Sequence, residues 1–206
     1  MNDLLCRSDY IWKILYQRDI SSHPTSSSYF ESYRQVIQDI TNKERNEILR
    51  YAGKNGYEKL ADRMVQAGAD NYNEAMVEAA KGGHRDVVER MLRCGANNYN
   101  LAMIEAAYGG HMDVVERMLE AGADNYNEAM VGAAESGHMD IIERMIQEGA
   151  NNYDEVMETA AFSGHRDIVE RMLQEGANNY NEAMAYAVLG GHKDIVELIQ
   201  RWQSNH

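Results

Sequence analysis

Five histidines stand at a fixed interval of 27 residues: His84, His111, His138, His165 and His192. A ladder of imidazoles points first to metal chemistry, because neutral histidine is the commonest metal ligand. Distance forbids sharing, however. Packed helices lie about 8–10 Å apart, so successive rungs fall at roughly that separation. Zn²⁺ holds its ligand atoms at about 2 Å. One ion cannot bridge two rungs, and each histidine reads instead as a helix-start residue that bonds to a neighbouring loop. His206 stands alone. No metal and no cofactor is expected.

Catalysis has no better footing. A nucleophile needs a base and a group that orients it. No serine or cysteine stands apart, and the carboxylates recur once per unit. Glu89, Arg90 and their counterparts read as solvated faces and inter-unit ion pairs. An active site would interrupt the period in its polar residues, and no such break is visible. The chain reads as a non-enzyme.

The elements that position these residues follow from the period itself. Gly83, Gly110, Gly137, Gly164 and Gly191 keep the same step, as do the pairs Ala79-Ala80, Ala106-Ala107, Ala133-Ala134 and Ala160-Ala161. A worn copy precedes them, with Gly56 in register and Tyr57 in place of histidine. Six units result: 45–71, 72–98, 99–125, 126–152, 153–179 and 180–206. Ala75, Met76, Ala79 and Ala80 line one face of a first helix, and Val87, Val88, Met91 and Leu92 line one face of a second. Gly82-Gly83 reverses the chain between them. Asp86 sits in the first turn of the second helix, at the positive end of its macrodipole. Gly95 ends that helix. Asn71 with Glu74 spaces as a capping box for the next first helix, and Asn73 is an equally good cap, with Tyr72 stapled to Val77.

One such hairpin cannot bury its apolar face alone, so stacked units form a solenoid. The Ala-Ala pairs permit close approach of first helices. The larger Val, Met and Leu fill the space behind, so the stack should be concave on the first-helix side. Residues 1–41 read as an N-terminal helical cap, with helices near 8–19 and 29–40 and a linker at Ser21–Ser28 around the lone Pro24. Trp12, Leu15 and Tyr16 are its expected covering face. Thr41 and Glu44 have capping-box spacing at the entrance to the array, 42–206. The last unit reads as a polar end, with Gln200 where Leu173 stands one period earlier.

The formal net charge is −13. Residues 1–44 hold five Lys/Arg and six Asp/Glu, which leaves −12 to the rest of the chain. Nucleic-acid binding requires neutralised phosphates, so no nucleic-acid partner is expected. No apolar run reaches about 18 residues, so no membrane span is expected. Residues 1–25 hold no apolar core with a cleavage site, so no signal peptide is expected either. Cys6 and Cys94 form no disulfide framework, and Cys94 reads as a small filler where Ala67 and Ala121 stand in other units. A reducing, cytoplasmic setting fits.

The run "AAKGGHRDVVERMLRCGAN" resembles the ankyrin signature, through Ala79, Ala80, Gly83, His84, Val87, Val88, Met91, Leu92, Gly95 and Ala96. The resemblance implies an all-α solenoid of six stacked helix-turn-helix repeats that binds another protein on its concave first-helix face. The departures are a unit about six residues short of the family's period of about 33, and Glu74-Ala75-Met76-Val77 where the family has its Thr-Pro-Leu-His. The deficit falls where ankyrins carry β-hairpin fingers, so a tight loop is expected there. Short Asn-Tyr-Asn-rich units are similar to the ankyrin/F-box proteins of large DNA viruses of amoebae. Ser8–Ile20 resembles the closing part of an F-box around Trp12, Leu15, Arg18 and Asp19, with the opening part missing. That implies a viral protein acting on host proteins in the host cytoplasm. As an alternative it implies a substrate adaptor of a cullin-type ubiquitin ligase that docks on a Skp-type subunit. A self-associating structural or virion component is the third reading.

Positions that change from unit to unit while the frame holds are the expected contact residues. The tenth residue of each unit reads Lys81, Tyr108, Glu135, Phe162 and Leu189, and the fourteenth Arg85, Met112, Met139, Arg166 and Lys193. Aromatics and methionine are enriched at interface cores. Tyr108, Met112, Met139, Phe162, Tyr186 and Leu189 are therefore the expected partner-binding set. The competing reading is that each packs against an adjacent loop or unit.

Overall fold

Glycine and the apolar rhythm decide where each helix starts and stops. The computed structural model describes residues 40–205, which form twelve helices and no strand. In chain order these are α1 (Asn42–Asn55), α2 (Glu58–Gln66), α3 (Tyr72–Lys81), α4 (Arg85–Arg93), α5 (Tyr99–Gly109) and α6 (Met112–Ala121). There follow α7 (Tyr126–Ser136), α8 (Met139–Glu148), α9 (Tyr153–Ser163), α10 (Arg166–Gln174), α11 (Tyr180–Gly190) and α12 (Lys193–Asn205). Odd-numbered helices are the first helices of their units and even-numbered ones the second. The helices expected near 8–19 and from Tyr29 onward, the linker, the side chains of Trp12, Leu15 and Tyr16, and His206 lie outside the described residues.

The entrance to the array is closed as its sequence spacing predicts. The Thr41 backbone N–H donates to Glu44 Oε2 at 2.7 Å, and the Glu44 N–H donates to Thr41 Oγ1 at 3.3 Å. Both helices of a unit then end on a left-handed glycine. Gly83 has φ of 70° and lets the His84 N–H reach Ala79 O at 2.9 Å. Gly95 has φ of 98° and lets the Ala96 N–H reach Met91 O at 3.0 Å. Each is a six-to-one closure that satisfies a carbonyl otherwise orphaned at the helix end.

The core is one continuous cluster of alanine and methionine together with Val, Ile and Leu. Each interior unit buries one methionine from each helix, as in Met76 with Met91 and Met130 with Met145. The unbranched thioether fills irregular gaps between units. Alanine sets the separation of first helices. Ala80, Ala107, Ala134 and Ala161 share one register and are fully buried. In the first unit that register is Gly53, where a Cβ would lie 2.4 Å from Ala75 O, so α1 and α3 approach more closely than any side chain permits. In the last unit it is Val188, left exposed because no further first helix covers it. First helices pack closely on one another along the whole stack, whereas second helices touch far less. That difference bends the array toward the first helices and makes theirs the inner face.

Each histidine locks its unit to the one before. His84, His111, His165 and His192 place Nε2 at 3.1–3.2 Å from Lys54 O, Lys81 O, Glu135 O and Phe162 O. Those carbonyls sit in the last turn of the preceding first helix, where no intrahelical donor remains. Each ring rests on the preceding unit's glycine: a Cβ on Gly83 would lie 2.4 Å from His111 Nδ1, and one on Gly110 would lie 2.5 Å from His138 Cε1. The histidine is thus a structural bolt, and its glycine partner is fixed twice, by backbone conformation and by contact.

The rival caps of the first helix both gave way to a third arrangement. Asn71 occupies the N-cap position but makes no side-chain bond to the helix. Asn73 lies inside α3 and turns outward to the next loop, where its Oδ1 accepts from the Asn97 N–H at 2.8 Å and the Asn98 N–H at 3.0 Å. Asn100 does the same for Asp124 and Asn125, Asn127 for Asn151, and Asp154 for Asn178 and Asn179. A side chain on the first helix of the same unit therefore satisfies loop donors that a hairpin finger would otherwise pair.

Gly110 and Gly122 separate the two demands on glycine. Both have positive φ, but a Cβ on Gly122 meets nothing within 4 Å. Gly122→Ala should lose about 1–2 kcal/mol from backbone strain alone. Gly110→Ala must also displace His138 and should lose distinctly more in urea unfolding. Equal losses would contradict the bolt.

Candidate interaction face

The second helices spend their polar residues on one another. Arg117, Arg144 and Arg171 place Nε at 2.5–2.6 Å from a carboxylate one unit back, on Glu89, Glu116 and Glu143, and Arg90 pairs likewise with Asp62. Arg144 and Arg171 also reach Glu148 and Glu175 on their own helices. The hydrogen bonds from Glu116 and Glu143, then those from Glu148 and Glu175, hold the two guanidinium groups still further above their usual range. Half-exposed pairs of this kind contribute at most about 1 kcal/mol each. Their role is alignment of neighbouring units, in keeping with the ion pairs expected from Glu89 and Arg90. Cys94 stands in the register of Glu148 and Glu175, and Arg90 donates to its Sγ at 2.9 Å. The small-filler expectation is corrected to that extent: the sulfur takes the place of a carboxylate acceptor.

The first helices carry different traffic. In each unit the third, seventh and tenth residues recur at helical spacing on one side of the helix. Tyr108 is 40% exposed, Phe162 53%, Tyr186 43% and Leu189 74%, in a chain whose core is otherwise complete. Phe162 and Tyr186 form an edge-to-face pair with ring centroids 6.5 Å apart, and Leu189 lies one turn beyond Tyr186 on α11. Tyr108 stands two first helices away, roughly 16–20 Å by ordinary helix spacing. Lys81 lies over its ring, with Nζ 5.4 Å from the centroid, and bonds Glu105 Oε2 at 2.8 Å. That bond and the Glu105 charge raise the Lys81 pKa.

Met112 and Met139 do not join them. Each opens a second helix and is partly buried against the core, so for these two the packing alternative describes their surroundings. Two exposed apolar residues escaped the sequence reading. Leu101 is 42% exposed on α5, one face with Tyr108, where other units have Glu74, Glu128, Glu155 and Glu182. Comparison of the third register would have found it. Val188, 65% exposed, departs from an alanine register and was equally visible. Among the described residues no three His, Cys, Asp or Glu side chains are grouped to hold a metal ion. No described helix is long and apolar enough to cross a membrane.

The family model for ankyrin repeats, in three copies, matches residues 49–129 and again 130–205. No curated protein sequence matches the chain.

Tyr108→Ala and Phe162→Ala should each leave the unfolding free energy within about 0.5–1 kcal/mol of the parent, as surface substitutions do. Met130→Ala, fully buried on α7 between the helices of Tyr108 and Phe162, should lose about 2–5 kcal/mol. Parallel denaturant titrations decide whether the aromatics belong to the frame or to the face.

Proposed function

The chain belongs to the ankyrin-repeat family, whose members are typically non-enzymatic interaction modules, and from that premise we propose a scaffold that holds another protein on its first-helix face. The observation that carries the reading is the set of large apolar groups at freely varying registers, Tyr108, Phe162, Tyr186 and Leu189, exposed while every alanine of the frame is buried. Contiguous exposed apolar surface marks interaction sites. No reaction is involved. Stacked helices hold their side chains at low ordering cost, so affinity comes from a few large anchors. Met112 and Met139 contribute only at the margin of such a contact.

Two finer readings rest on the N-terminal segment and on the Asn-Tyr-Asn-rich units. The likeness of Ser8–Ile20 to the end of an F-box supports a second reading, in which the N-terminus docks a Skp-type subunit and the array presents a substrate. The Asn-Tyr-Asn-rich units support a viral scaffold that acts on host proteins in the cytoplasm. Affinity capture from cells with three baits separates these. Tyr108→Ala with Phe162→Ala should lose the partners of the parent chain. Trp12→Ala with Leu15→Ala should lose a Skp-type subunit alone if the adaptor reading holds. Retention of every partner by the Tyr108/Phe162 variant would remove this surface from the account.

A further inference from the structure

The inner face is electrically lopsided. Toward its N-terminal end it supplies its own counterions: Arg50 NH1 lies 3.0 Å from Glu78 Oε1, and Lys81 Nζ lies 2.8 Å from Glu105 Oε2. On α7, α9 and α11 the third, sixth, seventh and tenth registers hold no lysine or arginine at all. They hold exposed Glu128, Glu135 and Glu182 beside Phe162, Tyr186 and Leu189. Two further glutamates there are engaged by neutral donors, Glu155 by Asn152 and Glu158 by Asn179. The chain therefore pairs two carboxylates with cations at one end and places no cation beside those around its aromatic pair at the other.

Resting on the scaffold reading above, we propose that the C-terminal half of the inner face docks a cationic amphipathic segment of a partner protein. Its apolar side chains seat on the Phe162–Tyr186 pair and Leu189, and its lysines or arginines lie toward Glu128, Glu135 and Glu182. The charge selects this occupant. A second copy of the chain brings the same sign of charge to the same face, and an anionic partner is repelled by it. An uncharged apolar segment would leave the glutamates desolvated at the rim without partners. The surface from α7 to α11 spans two helix spacings, about 16–20 Å. A helical segment of about 11–13 residues has that length.

A displayed library of random 16-residue peptides, selected on the whole protein, tests this, with binding of the enriched peptides then read by fluorescence anisotropy. The enriched sequences should carry net positive charge and apolar residues at helical spacing. Their affinity should fall about tenfold or more in Phe162→Ser with Leu189→Ser, and about tenfold in Glu128→Gln with Glu135→Gln and Glu182→Gln. It should also weaken as salt rises from about 0.05 to 0.5 M. The outer-face variant Asp86→Asn with Asp113→Asn and Asp140→Asn should bind as the parent does, which separates this face from the general field of an acidic protein. Neutral or acidic peptides that depend on Phe162 and Leu189 but ignore the three glutamates would overturn the inference and leave the scaffold reading standing. Peptides indifferent to both inner-face variants, or no enrichment, would overturn both.

Discussion

The close approach of successive first helices is the constraint on which the rest depends. It requires a residue no larger than alanine at one register, and Gly53, Ala80, Ala107, Ala134 and Ala161 provide it. Only at that separation can a histidine of one unit reach the last-turn carbonyl of the preceding first helix. Only there does its ring settle on a glycine that carries no Cβ. The second helices, spaced by Val, Ile and Met, cannot close as far, so the array curves. Curvature places the varying registers side by side on the inner wall. Small residues deep in the stack thereby decide what the surface can present.

The short unit changes how the stack is joined rather than whether it stacks. Without a hairpin finger, the loop after each second helix has backbone donors with no strand to pair them. Asn73 and its counterparts answer those donors from the first helix of the same unit, and Asp154 does so equally well because only the acceptor oxygen is used. The arginine ladder on the second helices joins successive units on the outer wall. These connections run within a unit or between neighbours, as expected of a solenoid whose stability is a sum over units and their interfaces. Binding groups can then change from unit to unit without disturbing the frame. Lys81, Tyr108, Glu135, Phe162 and Leu189 share one register with unrelated chemistry.

The helix pairs, their turns and the bolt-like histidines were legible because packing and backbone conformation repeat every 27 residues and leave the same residue types each time. The use of Asn73 was not legible. Its partner lies in the next loop, and a capping residue and a loop-bracing residue look alike in a linear string. Exposure at Tyr108, Phe162 and Leu189 followed from register variation, whereas Met112 and Met139 vary equally and yet are half covered. Variation alone does not distinguish a residue facing outward from one leaning on the core at a helix start. Leu101 and Val188 were missed for a simpler reason: the registers they interrupt look fixed in the other units.

The most direct test exchanges the two residues that share the spacing register but not its surroundings, with unfolding free energies measured for Ala134→Val and Val188→Ala. Ala134 is fully buried between first helices, and Val188 is open to solvent at the end of the stack. The intrinsic helix preference between alanine and valine is worth about 0.5 kcal/mol in either place, so Val188→Ala should stabilise slightly or do nothing. Ala134→Val should lose about 1–3 kcal/mol beyond that from overpacking. A loss at residue 134 no larger than the helix-preference difference would contradict the claim that helix spacing governs this fold and the face it presents.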